Sequence, residues 1–207
     1  KKLSFKKDET FNFKNDAAYF KIPKNKKLIV TNDTILETID FFKKDSPDSI
    51  ANKIVTCNLS DISSMGAVPY AYTLSLCLPK TVTRNWLKKF INKLFKLQKK
   101  YKIYLLGGDI SKSREIFLSA TFFGKAKLKN ILLQNNCIIG DDIWITGNLG
   151  NSFLGFKLLT QSKIKIKKTK FENLKKKYFY PNPCPFGYIA SKYINAAIDI
   201  SDGFYGD

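Results

Sequence analysis

Six aspartates stand where short apolar runs end or pass: Asp16 in "NDAAYF", Asp33 in "IVTNDT", Asp61 in "NLSDISSMGA", Asp109 in "LLGGD", and Asp199 with Asp202 in "IDISDG". Surface acids ordinarily sit among other polar residues. This chain is also poor in acids, with 17 Asp and Glu against 36 Lys and Arg, so the repeated placement is informative. Oxygen ligands of this kind suit Mg²⁺, which takes a few carboxylates and keeps places for water and phosphate oxygens. Histidine is absent altogether. The four cysteines, Cys57, Cys77, Cys137 and Cys184, form no C-x-x-C pair, so the ligands typical of zinc are absent or unclustered, and a His general base or His-ligated metal is excluded. Singly, most of these acids have a plain structural role: Asp33 or Asp109 ends a strand, and Asp202 in "SDG" shapes a turn.

Asp61 has no such role. On a helix, with each residue rotated about 100° from the last, Ile50, Ile54, Cys57, Ile62 and Met65 share one side with Ala51 beside them. Asp61 falls in the middle of that arc and Asn58 lies next to it. Asn52, Lys53, Thr56, Ser60, Ser63 and Ser64 form the opposite, solvated side. A carboxylate aimed inward is costly unless something positive meets it. Metal binding by the acids together is the better account. In "GGD", Gly107 and Gly108 allow the backbone close to a ligand and leave amides for phosphate oxygens. Neither "GGDISKS" nor "GNLGNSFLG" completes a Walker or dinucleotide loop.

The elements that position these residues can be read in order. "KLIVTNDT" is a strand that delivers Asp33 at its end. In "SPDSI", Ser46 caps, Pro47 opens and Asp48 favours the dipole of a helix that carries Asp61 and stops near Gly66. "PYAYTLSLCLP" alternates Tyr70, Tyr72, Leu74, Leu76 and Leu78, a strand with one buried face. "TRNWLKKFINKLFKLQKKY" sets Leu87, Phe90, Ile91, Leu94, Phe95 and Leu97 at helical spacing against lysines. "KIYLLGGD" and "EIFLSATFFGKA" are further strands. The order is not a clean βαβ series, so the fold class is α+β. Residues 1–125 form a first, mixed-sheet domain and 126–139 a connection. A second unit occupies 140–207, with a strand in "GDDIWITG", helices in "NSFLGFKLL" and "FGYIASKYI", and a strand breaking into a turn in "AAIDISDG". The lysine-rich "SKIKIKKTKFENLKKK" between them is a solvated loop or helix face. This second α+β unit supplies so few elements that it is expected to be truncated. The start, "KKLSFKKDET", has no methionine, so earlier residues are expected to precede it.

A formal charge of +19 raises the question of nucleic acid. Only Arg84 and Arg114 are arginines, whereas base and phosphate recognition favours arginine forks. Lysine excess beside abundant Ile, Asn and Phe reads instead as AT-rich drift. No apolar run reaches membrane-spanning length, and unpaired cysteines point to a reducing, cytoplasmic setting.

"NDAAYF", "IVTNDTIL", "NLSDISSMGAVP", "YLLGGDISKS", "GDDIWITGNLG" and "AAIDISDG" occur in an order and spacing that resembles the thiamine-monophosphate kinase family, across nearly the whole chain. Aminoimidazole ribonucleotide synthase, HypE-type proteins and selenophosphate synthetase share its architecture. The resemblance implies ATP-dependent phosphorylation of thiamine phosphate to thiamine diphosphate, in a homodimer whose N-terminal domains pair their sheets. It also implies several Mg²⁺ ions held by Asp16, Thr31, Asn32, Asp33, Asp61, Asp109, Asp199 and Asp202. Gly108, Asp109, Ser201 and Gln134 fall at ATP-contacting positions and Asp40 at a substrate-contacting one. No side-chain general base is implied. The sequence departs from the family pattern where Asn15 precedes Asp16, where Asp40 replaces a histidine, and where Gln134 replaces an arginine. The alternatives are another ATP-dependent enzyme of the same superfamily or a basic nucleic-acid-binding protein.

Overall fold

The computed structural model describes residues 2–5, 7–14, 17–161 and 166–207. Strand β1 (Lys26–Leu36) is followed by helix α1 (Pro47–Ser64), strand β2 (Val68–Leu78), helix α2 (Arg84–Tyr101), and strands β3 (Tyr104–Lys112) and β4 (Phe117–Lys127). Helices α3 (Asn151–Thr160), α4 (Lys168–Phe179) and α5 (Phe186–Ala190) complete the chain. The four strands form one mixed sheet in the order β1-β4-β2-β3. The β1–β4 and β4–β2 pairs are antiparallel and the β2–β3 pair is parallel. The α+β class expected from the sequence is the architecture found.

Local chemistry places the helix ends. The Ser49 amide donates to Ser46 Oγ at 3.1 Å and Pro47 takes the first helical position, so α1 starts where its cap dictates. It ends at Gly66, whose φ of +69° is the left-handed turn that glycine accepts most readily. In α2 the Trp86 amide donates to Thr83 Oγ1 at 3.1 Å, and Lys102 closes the helix at φ +55°. Both helices pack against each other, and α1 also lies on β1 and β4. The core lies between helices and sheet: Ile50, Ile54 and Ile62 from α1, Phe90 and Leu94 from α2, and Tyr72, Leu118 and Phe122 from the strands are buried. Of the α2 stripe, Ile91 lies at its border and stays exposed, while Phe95 stacks on Phe5 at 5.3 Å.

The alternation of β2 holds from Tyr72 to Leu78 but not at Tyr70. The register shifts between Pro69 and Ala71, and Tyr70 joins a second cluster with Ala71, Tyr104 and Leu106. There the buried Glu9 carboxylate accepts the phenols of Tyr70 at 2.6 Å and Tyr104 at 2.5 Å, which fastens the N-terminal segment to the sheet.

Several sequence expectations need correction. β1 runs on past Asp33 to Leu36 and β3 past Asp109 to Lys112, so both acids lie within strands rather than at their ends. "GDDIWITG" forms no strand; Ile143 and Trp144 lie in the open, 81% and 84% exposed. "AAIDISDG" forms no strand either. A strand exists only through its ladder, and among the described residues no strand edge reaches these two segments. The helix in "FGYIASKYI" is limited to Phe186–Ala190, and Ser191–Tyr193 form a turn.

Candidate functional site: an acidic cluster between strand, helix and C-terminal segment

Thr31 and Asp33 are two residues apart on β1 and share the face turned toward α1. Because α1 packs on β1, Asp61 meets them. The Thr31 hydroxyl donates to Asp61 Oδ2 at 2.6 Å, the length of a charge-assisted bond. Asp199 arrives from the irregular C-terminal segment and hydrogen-bonds both Asp61 and Ser60. Strand, helix and a segment more than a hundred residues downstream thus meet at Asp61.

The electrostatics are those of carboxylates held close together and partly out of water. Burial raises the Asp33 carboxyl above the usual range, and the charges of Asp199 and Asp40 add to this. Burial likewise raises Asp61, with Asp33 pushing the same way; the bonds to Thr31 and Asp199 only partly oppose it. Asp199 is raised to about 6, by burial first and then by Asp61, so this pair gives up its last proton only as pH rises through about 6. Asp33 Oδ2 is buried with no hydrogen-bond partner. Among the described residues the one ion pair is Glu172–Lys175 on α4, at 3.9 Å, so no lysine is spent on these acids despite the charge of +19.

This arrangement fits a hard divalent cation. The donors are all oxygens, one of them orphaned and buried, and an added positive charge would lower all three carboxyls together. Asp33, Asp61 and Asp199 would hold the ion, with Thr31 orienting Asp61. Among the described residues no three acids or cysteines are already closed around one point, so side-chain adjustment or phosphate oxygens must complete the sphere.

The remaining expected residues lie elsewhere. Asp16, with Asn15, falls outside the described residues. Asn32 alternates to the opposite face of β1, where its amide donates to Thr121 Oγ1 at 2.9 Å and Ser119 Oγ at 3.3 Å. Asp109 is exposed on that same far face, since the register aligns Thr34, Ser119, Ser75 and Asp109 in one row. Its carboxylate accepts the Ser111 hydroxyl at 3.0 Å. Neither side chain reaches the acids within one chain.

Gly108 is needed for a reason other than ligand approach: a Cβ there would stand 2.0 Å from the Leu74 carbonyl oxygen of the neighbouring strand, whereas Gly107 opens onto free space. Asp40 is exposed, and its Oδ2 accepts the Leu36 amide at 2.8 Å, a turn-forming bond. Gln134 is exposed in the short turn Gln134–Asn136. Asp202 is exposed too, but its segment does something the sequence did not announce. The successive amides of Ser201, Asp202 and Gly203 all donate to Asp207 Oδ2, at 2.9, 3.1 and 3.1 Å. Such a nest is built for an anionic oxygen, and here the Asp207 carboxylate occupies it.

Ser60 escaped sequence reasoning because the helical wheel set it on the solvated side; its one signal was its place next to Asp61. Of that polar side, Asn52, Lys53, Thr56 and Ser63 are buried, while Ser60 and Ser64 are partly so. Asn52 Nδ2 donates to the Pro181 carbonyl at 2.8 Å and Ser63 Oγ to the Cys184 carbonyl at 3.0 Å. At Gly187 an added Cβ would meet the Ser63 carbonyl oxygen at 1.7 Å, which shows how closely the C-terminal segment is seated on α1.

Residues 14–126 match the model of the AIR synthase related protein N-terminal domain. The chain is 44% identical over 195 residues to the thiamine-monophosphate kinase of Buchnera aphidicola subsp. Schizaphis graminum, covering 93% of this chain and 59% of that one. The solved thiamine-monophosphate kinase of Stenotrophomonas maltophilia superposes with a TM-score of 0.90 at 29% identity, over 99% of this chain and 66% of that one. The complex of AaThiL with AMPPCP and TMP superposes with a TM-score of 0.82 at 28% identity, over 93% of this chain and 61% of that one. The chain therefore spans about three-fifths of the length of the curated relatives it matches. No helix among the described residues is long and apolar enough to cross a membrane. With more than half of its residues inside that domain, and similarity to thiamine-monophosphate kinases along nearly its full length, the chain belongs to the family of AIR synthase related proteins.

Proposed function

We propose that this chain is the ATP- and metal-binding part of a thiamine-phosphate kinase, which transfers the γ-phosphoryl group of ATP to thiamine phosphate. The observation that carries the reading is the Asp33–Asp61–Asp199 cluster: three carboxylates with raised proton affinity and an orphaned buried oxygen. Bound Mg²⁺ supplies positive charge that offsets the triphosphate and the acceptor. The chain's own residues bind and orient. Thr31 fixes the Asp61 carboxylate, and Ser60 fixes Asp199. The amides of Ser201 to Gly203 offer a cradle for a phosphate oxygen in place of Asp207.

The acceptor oxygen belongs to an already ionised phosphate monoester, so no proton has to be removed before it attacks. The new P–O bond forms as the bond to the β–γ bridging oxygen breaks, and ADP leaves with that electron pair. A chain without histidine loses nothing by this route, because positioning and charge carry the rate. Asp40 is committed to the Leu36 amide, so we assign it the shape of the loop after β1 rather than a direct hold on the acceptor. Asp16, Asn32, Asp109 and Asp202 stay proposed ligands, and Gly108 and Gln134 proposed ATP contacts. The polar face bearing Asn32 and Asp109 is the one a second copy would cover in a cytoplasmic homodimer.

The test is formation of thiamine diphosphate from ATP and thiamine phosphate with Mg²⁺, beside Asp61→Asn and Asp33→Asn. We expect each variant to lose at least roughly a hundredfold in kcat. No product from the unaltered protein would sink the kinase reading; product at unaltered rates from both variants would sink the site.

A further inference from the structure

Lys53 lies on α1 two turns before Asp61, on the side the sequence assigns to solvent, yet it is only 8% exposed. Its ammonium makes no ion pair among the described residues. It donates instead to the Asp40 carbonyl at 2.8 Å and stands 3.7 Å above the Tyr178 ring. A buried ammonium held by a carbonyl and an aromatic face is an expensive arrangement compared with an apolar side chain in the same space. Here it joins three separate elements: α1, the loop between β1 and α1, and α4.

That loop, residues 37–45, leaves β1 four residues after Asp33. It is fastened to the sheet by Glu37, whose Oε2 accepts the Ile116 amide at 2.9 Å. It is folded on itself by Asp45, whose Oδ2 accepts the Phe42 amide at 3.1 Å. Phe42 then stacks on Phe156 of α3 at 5.9 Å and faces Tyr178 at 6.0 Å. Phe42 gives apolar contact without direction, whereas the Lys53 bond to Asp40 is directional and fixes where the loop sits.

We infer that Lys53 is the residue that locks the β1–α1 loop and helix α4 to α1. This goes beyond the phosphotransfer reading and holds whether or not the chain turns over. Losing the ammonium unpairs the Asp40 carbonyl and takes the cation from the Tyr178 ring in one step, leaving only the ring packing of Tyr178 on Phe42 and Phe156, so the loop and α4 loosen together although 120 or more residues apart.

The test is amide hydrogen exchange on the whole 207-residue chain, comparing the unaltered protein with Lys53→Met and Lys53→Arg. Methionine keeps the apolar stem and removes the charge and the donor. It is expected to speed exchange roughly tenfold in both 37–45 and 168–179 and to leave β2 and β4 within about twofold. Arginine can still donate to the carbonyl and stack on the ring, so it restores most of the protection in both segments. Tyr178→Leu, which leaves the lysine in place, is expected to open the 37–45 loop as well, and it decides the matter if Lys53→Met does not fold. The inference is overturned if Lys53→Met leaves either segment unchanged or opens the whole sheet equally, if Lys53→Arg is as open as the methionine variant, or if Tyr178→Leu leaves the loop closed.

Discussion

Replacing Asp199 by asparagine should stabilise the metal-free protein. Asp199 lies partly buried beside Asp61, and its carboxyl is raised from 3.8 to about 6, by burial first and then by the Asp61 charge. That span corresponds to roughly 3 kcal/mol of preference for the neutral form. Partial solvent exposure screens it, leaving about 1–2 kcal/mol. The sign follows from where protons are held. Below about pH 4 the carboxyl is neutral in folded and unfolded chains alike, and there is no penalty. Between about 4 and 6 the unfolded chain gives up its proton first, so the folded state binds more protons and stability falls as pH rises. Above about 6 the full penalty applies. Asparagine has no charge to bury and keeps a donor for Asp61.

Urea unfolding in EDTA, followed by far-ultraviolet circular dichroism, should therefore show Asp199→Asn about 1–2 kcal/mol more stable than the unaltered protein at pH 7.5 and equal to it at pH 4. Excess Mg²⁺ should reverse the order, because a cation that binds only the folded site at a hundred times its Kd adds about 2.7 kcal/mol and the variant has given up a ligand. A variant less stable than the unaltered protein at pH 7.5 in EDTA would refute the claim that these acids repel one another. So would a stability for the unaltered protein that does not fall between pH 4 and 6.5.

Other expected outcomes test the supports of the site. Thr31→Val removes the hydroxyl that donates to Asp61; it should cost about 1–2 kcal/mol at pH 8 and less at pH 4, where a neutral acceptor makes a weaker bond, as read from urea midpoints. Gly108→Ala would bring a Cβ to 2.0 Å from the Leu74 carbonyl oxygen, so the parallel β2–β3 pair must part, with a loss of about 2–4 kcal/mol and a lowered Tm. Tyr104→Phe leaves the buried Glu9 carboxylate short of a donor. Burial alone would raise the Glu9 carboxyl, but the Tyr104 and Tyr70 phenols, the Lys21 amide and the Lys125 charge together lower it. The stability it contributes is present above the unfolded value of 4.5 and is lost as pH falls through the lowered one. Tyr104→Phe should therefore cost about 1–3 kcal/mol at pH 7 and little at pH 2, measured by thermal unfolding.

Patterns carried by neighbours in the chain were legible without coordinates. The cap at Ser46 and Pro47, the stop at Gly66, the lysine-backed stripe of Phe90 and Leu94, and the β2 alternation from Tyr72 onward all follow from period and capping. These depend on residues a few positions apart, and sequence records that distance directly. Asp61 was legible for the same reason: an acid on an apolar arc is an anomaly visible on one helix. What it would meet was not. Thr31 and Asp199 reach it across 30 and 138 positions, and only the packing of β1 and the C-terminal segment on α1 brings them there.

The strands misread in "GDDIWITG" and "AAIDISDG" show the limit from the other side. Their apolar residues have strand composition, but a strand needs an edge to pair with, and composition does not record one. The same limit explains the polar side of α1. Asn52, Lys53, Thr56 and Ser63 carry the composition of a solvated face, yet all are buried: the carbonyls of Pro181, Asp40 and Cys184 come over Asn52, Lys53 and Ser63, and Thr56 donates to the Asn52 carbonyl of its own helix. Sequence by itself determined which residues could face a core and which acids had no local reason to be there. Tertiary structure decided which acids meet and which polar groups leave water, because both depend on contacts between segments whose separation along the chain says nothing of their distance in space.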